Sequence, residues 1–333
     1  MTDERDLKPV EARTIHDNAR LPMTQIPREP RSTSDERTKR LLDAAALTAS
    51  EAPAFILYQH TIFCQTGLPY RDPGDDVLGW ERINGRVHLS ITAGKAMHPG
   101  HGKLVQIGLP FGAKPRLIMA FLNGEALRQQ SPEIDVQASL TAFVKRLKLL
   151  PGGRTINTIK DQLTRLATAH ITLGMILEGR AVTVNSQVVS AFDLWFPKDE
   201  KQRVAWPSML RLSADYFDSL ARHAVPLHDA ALKALSGNAM ALDIYAWLAQ
   251  RLHRVEPSKP ALVPWPALQE QFGWNYDRLT NFRPVFSHTL AMVKTQYQAA
   301  NVSLDGRGMM LRHSASPVRG RTAIVVRGPY DEP

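Results

Sequence analysis

Cysteine is almost missing from this sequence: Cys64 is the only one in 333 residues. That excludes an intrachain disulfide and a cysteine-rich zinc site. No apolar run reaches the roughly 18 residues that a membrane helix requires. The opening "MTDERDLK" is charged and no apolar stretch follows it, so no signal peptide is expected. The patterns G-x-x-x-x-G-K-[ST], H-E-x-x-H and G-x-S-x-G do not occur, which removes the common phosphate-loop, zinc-hydrolase and serine-hydrolase chemistries. The expectation is a soluble cytoplasmic protein that is not an enzyme, with no metal, no cofactor and no membrane contact.

What is present is apolar material and positive charge. With 44% hydrophobic residues the chain can build packed cores, and its length suggests two domains. A net charge of +9 favours a polyanionic partner. Residues 1–33 alternate in charge and contain four prolines, Pro9, Pro22, Pro27 and Pro30, which reads as a flexible arm. A capped helix should follow Ser34. "WERINGRVHLSITAG" alternates at the strand period around Asn84-Gly85, a dipeptide suited to a type I′ hairpin turn. "RLIMAFLNGEALRQ" and "SLTAFVKRLKLL" have helical spacing, although Gly124 weakens the first.

The stretch "LPGGRTINTIKDQLTRLATAHITLGMILEGRAVTV", residues 150–184, carries the most information. Ile156, Ile159, Leu163 and Leu166 recur at intervals of three and four, lining one helix face. Opposite them lie Asn157, Thr158, Asp161, Thr164, Arg165 and Thr168. Two strands follow, joined at Glu178-Gly179-Arg180. Helix, turn, helix, hairpin is the order of a winged helix-turn-helix. The glycine pair punctuates helices better than it cradles phosphate, because Lys160 is distant from Gly152 and is followed by Asp161.

The same order recurs downstream. "NAMALDIYAWLAQRLHRV" and "WPALQEQFG" read as helices, and a long helix is expected from Pro284, where a first turn tolerates proline. Phe286, Leu290, Val293 and Tyr297 face inward on it; Ser287, His288, Ala291, Lys294 and Thr295 face out. "NVSLDGRGMMLR" supplies a second hairpin around Asp305-Gly306. Between the units, "VVSAFDLWFP" and "WPSMLRLSADYF" look like strands and Phe217 to Leu235 like a helix. The fold class expected is α+β and helix-rich, with two tandem winged helix-turn-helix domains over 34–200 and 201–315, the arm before them and a tail at 316–333.

"GLPFGAKPRLIMAFLNGEAL", "SPEIDVQASLTAFVKRLKL" and "GGRTINTIKDQLTRLATAHITLG" resemble the plasmid-encoded RepA replication-initiator family, over roughly Phe55 to Leu311. The resemblance implies a bacterial protein that binds origin direct repeats (iterons) and its own promoter as double-stranded DNA. It further implies origin opening with a host initiator and helicase, autorepression, and a homodimer that converts to monomers. The apolar "AFVKRLKLL" and "RLIMAFL" are candidate dimer surfaces or core. A transcriptional repressor without a replication role is the alternative.

Base reading needs exposed side chains that match groove edges. In the second unit Arg283, Ser287, His288 and Lys294 qualify, with Arg307 at the wing and Arg312 behind it. In the first, Arg154, Asn157, Thr158 and Arg165 qualify, with Arg180 on the wing. "HPGHG", His98 to Gly102, has too few ligands for zinc. His170 reads as a helix-end residue. Tyr297 reads as core, not as the nucleophile of a nicking enzyme, and the His-apolar-His motif of such enzymes does not occur.

Overall fold

The computed structural model describes residues 39, 41–46, 53, 55–97, 102–135, 139–177, 180–191 and 209–318. The whole of the proposed arm, the tail beyond residue 318, His98 and His101 of "HPGHG", and the Glu178-Gly179 tip lie outside these residues.

Strand β1 (Ile56–His60) runs into helix α1 (Thr61–Thr66). Hairpins follow from β2 (Gly79–Asn84) with β3 (Val87–Thr92), and from β4 (Lys95–Met97) with β5 (Leu104–Gln106). Next come α2 (Ala113–Gln129), β6 (Glu133–Asp135), α3 (Leu140–Arg146) and α4 (Gly153–Thr168). Strands β7 (His170–Leu177), β8 (Arg180–Gln187), β9 (Val189–Ala191) and β10 (Met209–Leu212) follow. The chain continues through α5 (Ala214–His223), β11 (Ala224–His228), α6 (Asp229–Leu235) and α7 (Ala239–Arg251). It ends with β12 (Ala261–Pro264), α8 (Trp265–Phe272), α9 (Leu279–Gln296), β13 (Val302–Leu304) and β14 (Gly308–Leu311). The fold is mixed helix and sheet, in the α+β class.

Helix α2 is buried from Pro115 to Leu127, and this organises the molecule. A helix apolar on all sides must be covered on all sides. Ile118, Met119, Phe121 and Leu122 enter a first core with Leu89, Ile91, Leu163, Leu173, Leu212 and Tyr216. Leu117 and Ala120 enter a second, built on Trp247, Phe272, Phe282, Phe286, Met309 and Leu311. Gly124, which weakens the helix in isolation, is the point where β1 crosses it. A Cβ there would lie 3.0 Å from the Ile56 carbonyl oxygen.

Two sheets flank these cores. The larger has strand order β2-β3-β7-β8; the C-terminal one has order β12-β14-β13. Strand β1 pairs antiparallel with β11, tying residues 56–60 to residues 224–228. The "RLIMAFL" residues and Phe143, Val144 and Leu147 of "AFVKRLKLL" are buried in the cores, so these apolar runs serve packing within the chain.

Several local expectations are corrected. The β2–β3 hairpin forms, but Asn84 pairs with Val87, so the central residues are Gly85-Arg86. Only Gly85 has positive φ, at 57°, whereas type I′ needs two such residues; glycine first suits type II′. The pattern from Phe217 to Leu235 is not one helix, because β11 interrupts it. Pro226 removes a helical donor there, and β1 offers strand partners instead. "SADYF" is the start of α5, not strand, with the Ser213 side chain accepting from the Tyr216 N–H. His170 opens β7 rather than ending a helix.

Candidate nucleic-acid interface

Helix α9 buries Phe282, Phe286, Leu290 and Val293, with Tyr297 just beyond, as the spacing predicts. The Tyr297 hydroxyl donates to the Ala315 carbonyl at 2.6 Å, which makes it a core group. The helix begins at Leu279, five residues before Pro284, so that proline lies inside it. Pro284 is exposed, and the Thr280 carbonyl that its missing N–H would have met is on a solvent-facing residue. The earlier start adds Thr280 and Asn281 to the exposed face and puts exposed Arg278 at the N-cap. Leu279, in register with Phe282 and Phe286, was the available signal for that extra turn.

Trp265 joins this helix to the hairpin. Its indole N–H donates to the Asp305 carbonyl at 2.9 Å, and its backbone N–H to the Arg307 carbonyl at 3.1 Å. On the ring lies the Arg283 guanidinium, 5.0 Å from the centroid. Asp305 shapes the turn: its carboxylate accepts from the backbone N–H groups of Arg307, at 2.8 Å, and Gly308, at 3.1 Å. The Arg307 N–H, assisted by its guanidinium at 3.2 Å, holds the Asp305 carboxyl below the usual carboxylate range. Arg307 itself stays open to solvent, its side chain 71% exposed. Trp265 thus links Arg283 to the Arg307 turn, and half-buried Ser287 and exposed His288 lie one turn beyond Arg283 on the same helix.

Trp265→Phe keeps a ring against Phe282 and Phe286 but removes the bond to Asp305. The expected loss is about 1 kcal/mol in urea unfolding, with faster amide exchange at Arg307 and Gly308. Unchanged exchange at both would show that the tryptophan does not hold the turn.

Lys294 and Arg312 stand at the other end of the hairpin. The Lys294 ammonium donates to the Val302 carbonyl at 3.2 Å, and Arg312 to the Ser303 hydroxyl at 3.2 Å. Both are exposed, but they brace the foot of the strands rather than flank the Asp305–Arg307 turn.

In the first unit the glycine pair starts α4, with Gly152 at the N-cap and no side-chain cap. Arg154, Asn157 and Asp161 are exposed; Thr158 is half-buried, its hydroxyl donating to the Arg154 carbonyl at 2.9 Å. Lys145 and Lys148, which the sequence reading passed over, are exposed before the turn. The second half of the helix is covered. Thr164 and Thr168 are buried, and a Cβ on Gly94 would lie 1.9 Å from the Thr168 carbonyl oxygen. Gln162 accepts from the Phe111 N–H at 2.8 Å.

Arg165 does not face outward with Arg154 and Asn157. Its guanidinium pairs with Asp161 at 3.0 Å, donates to the Leu109 carbonyl at 3.1 Å and stacks on Phe111 at 5.1 Å, leaving the side chain 14% exposed. Asp161 likewise has an internal partner. The open polar face of α4 is therefore its first two turns. Arg180 opens β8 opposite Leu177, and its side chain lies outside the described residues.

Among the described residues no group of three His, Cys, Asp or Glu is placed to hold a metal, and no helix is long and apolar enough to cross a membrane. Comparison with solved structures finds domains 2 and 3 of RctB in a selenomethionine form, at 9% identity and TM-score 0.48, covering 77% of this chain and 99% of that one. A second structure of RctB domains 2–3 gives 10% identity, TM-score 0.45, and coverage of 75% and 94%. No curated protein matches the chain. Residues 109–265, from just before α2 to the first residue of α8, match the family described as plasmid encoded RepA protein. Over that segment, a little under half of the chain, it is similar to the plasmid-encoded RepA family, the family its α2 and α4 motifs resemble.

Proposed function

We propose that this protein is a sequence-specific double-stranded DNA binder that initiates plasmid replication by recognising origin repeats. Its two units, 34–200 and 201–315, act as winged helix-turn-helix modules, with α4 and α9 as the groove-reading helices. The observation that carries the reading is the C-terminal arrangement. Helix α7, strand β12, helices α8 and α9 and the β13–β14 hairpin follow in the order of a winged helix, with strand order β12-β14-β13. The exposed face of α9 and the Arg307 turn lie on either side of Trp265. A helix in the major groove with an arginine-bearing hairpin beside it grips base edges and backbone together.

Arg283, Ser287 and His288 are assigned to base edges, Arg307 to backbone or minor groove, and Arg154, Asn157 and Thr158 to the second contact. Bound protein destabilises adjacent A·T-rich DNA, and host initiator and helicase act on the opened strands. Binding at its own promoter would make it an autorepressor.

Footprinting and titration on the DNA upstream of its own gene, at 50 and 200 mM salt, test this. Affinity should fall more than about tenfold between the two, because bound cations release condensed counterions. Arg307→Ala should weaken all sequences alike and reduce the salt slope by about one. Salt-independent binding would overturn the proposal. A plasmid carrying only this gene and its repeats should replicate; repression without replication would favour a repressor.

A further inference from the structure

Resting on that reading, we infer that the contacts joining the two units are a specificity determinant: they hold the α4 and α9 surfaces at one separation and select the spacing of the two DNA stretches they meet. One layer of these contacts falls on the turn that launches α9. Trp274, between α8 and α9, meets Trp80 of β2 edge to face at 4.7 Å and Tyr70 at 5.8 Å. Arg82, also on β2, donates to the carbonyls of Glu270 and Gln271 at the end of α8. The Gln271 side chain donates to the Gln65 carbonyl at 3.3 Å, and Asn84 donates to the same oxygen at 2.9 Å. The sheet of the first unit thus grips the helix-turn-helix of the second at its turn.

A second layer lies beneath. Arg116 of α2 meets Asp243 of α7 with two parallel bonds, Nε to Oδ1 at 2.6 Å and Nη2 to Oδ2 at 2.7 Å. Its other donors reach the carbonyls of Leu68 at 2.6 Å, Gly112 at 2.6 Å and Pro69 at 3.3 Å. Gly67 makes room: its φ is 76°, and a Cβ there would lie 2.7 Å from Asp243 Oδ2. Five directed donors in one buried cluster admit one relative placement of the elements they join, whereas an apolar seam could slide. Duplex DNA turns once in about 10 base pairs, so a fixed protein tolerates few changes in the distance between its two contacts.

The full-length protein selects binding sites from a pool of random double-stranded DNA, and the selected site is footprinted. Probes with one, two or five base pairs inserted between the two protected stretches are then titrated. Wild type should lose at least about thirtyfold in affinity, the loss of one of two linked contacts. Arg82→Ala with Trp274→Ala, combined with Arg116→Met and Asp243→Leu so that the buried layer is removed too, all away from the reading faces, should still bind the selected site but discriminate among the probes less than about threefold. Trp274→Phe should restore part of the discrimination. Wild type binding all spacings equally would overturn the inference with no variant needed, as would strict discrimination by the folded combined variant. Enrichment of no sequence would overturn the proposed function and this inference with it; an enriched site bound regardless of spacing overturns the inference alone.

Discussion

Arg116→Ala should lower the stability of the whole chain by about 3–5 kcal/mol, the usual consequence of stranding one partner of a buried ion pair. The reason is geometric. Asp243 is almost fully buried, and with Arg116 gone its carboxylate loses its directly paired cation, the more distant Arg82 remaining. Burial pushes the Asp243 carboxyl up, and the Arg116 guanidinium opposes that push. The backbone carbonyls of Leu68 and Gly112 lose the Arg116 donor in the same step, while Pro69 keeps its bond from the Gly112 N–H. Urea unfolding monitored by tryptophan fluorescence reads the effect, since Trp80 and Trp274 pack at this joint. Arg116→Met combined with Asp243→Leu should recover a large part of the loss, because an apolar pair leaves no charge unpaired. A single variant costing less than about 1 kcal/mol would mean that the pair behaves as a surface contact.

Acid should unfold the protein earlier than its carboxylates alone require. His60 is fully buried at the N-cap of α1, where its Nδ1 accepts from the Ile62 N–H at 3.2 Å. That acceptance leaves the proton on Nε2, which donates to the Ser219 hydroxyl at 3.0 Å. Burial, with His223 nearby, pulls its pKa from 6.5 down to about 3. The unfolded chain therefore takes up a proton near pH 6.5 that the folded chain refuses until about pH 3. The contribution is complete above pH 6.5 and is lost as the pH falls toward 3, at up to about 1.4 kcal/mol per pH unit. Half-buried His223 shifts in the same direction, through burial first and then Arg222, and adds to the slope. Denaturant midpoints measured between pH 7 and 4 test this. His60→Asn keeps an acceptor for the Ile62 N–H and cannot take up the proton, so its midpoint should vary less with pH. An equal slope in the variant would remove His60 as the cause.

Periodic segments were the legible part of this chain. Ile159, Leu163 and Leu166 on α4, and Phe286, Leu290 and Val293 on α9, are buried because a 3.6-residue repeat leaves an amphipathic helix one way to sit. Both hairpins that follow those helices were legible from turn residues and alternation. The starting point of α9 was not, since Pro284 is a strong local signal for a first turn. Tertiary burial of Leu279 and Phe282 carried the helix back past it.

The candidate surface divides along the same line. Composition and helical period alone determined that the chain is α+β, that an intrachain disulfide and the phosphate-loop motif are absent, and which faces of α4 and α9 are polar. Whether a polar face is open depends on what other segments lay across it, and no local pattern encodes that. The loop from Gly108 to Phe111 closes over Arg165, while nothing comparable among the described residues covers Arg154 or Asn157. Trp265 draws Arg283 and Arg307 to one support across 24 positions of sequence, and Arg116 finds Asp243 across 127. Such pairings follow from packing two cores around α2, where directed hydrogen bonds between distant residues are satisfied together or not at all.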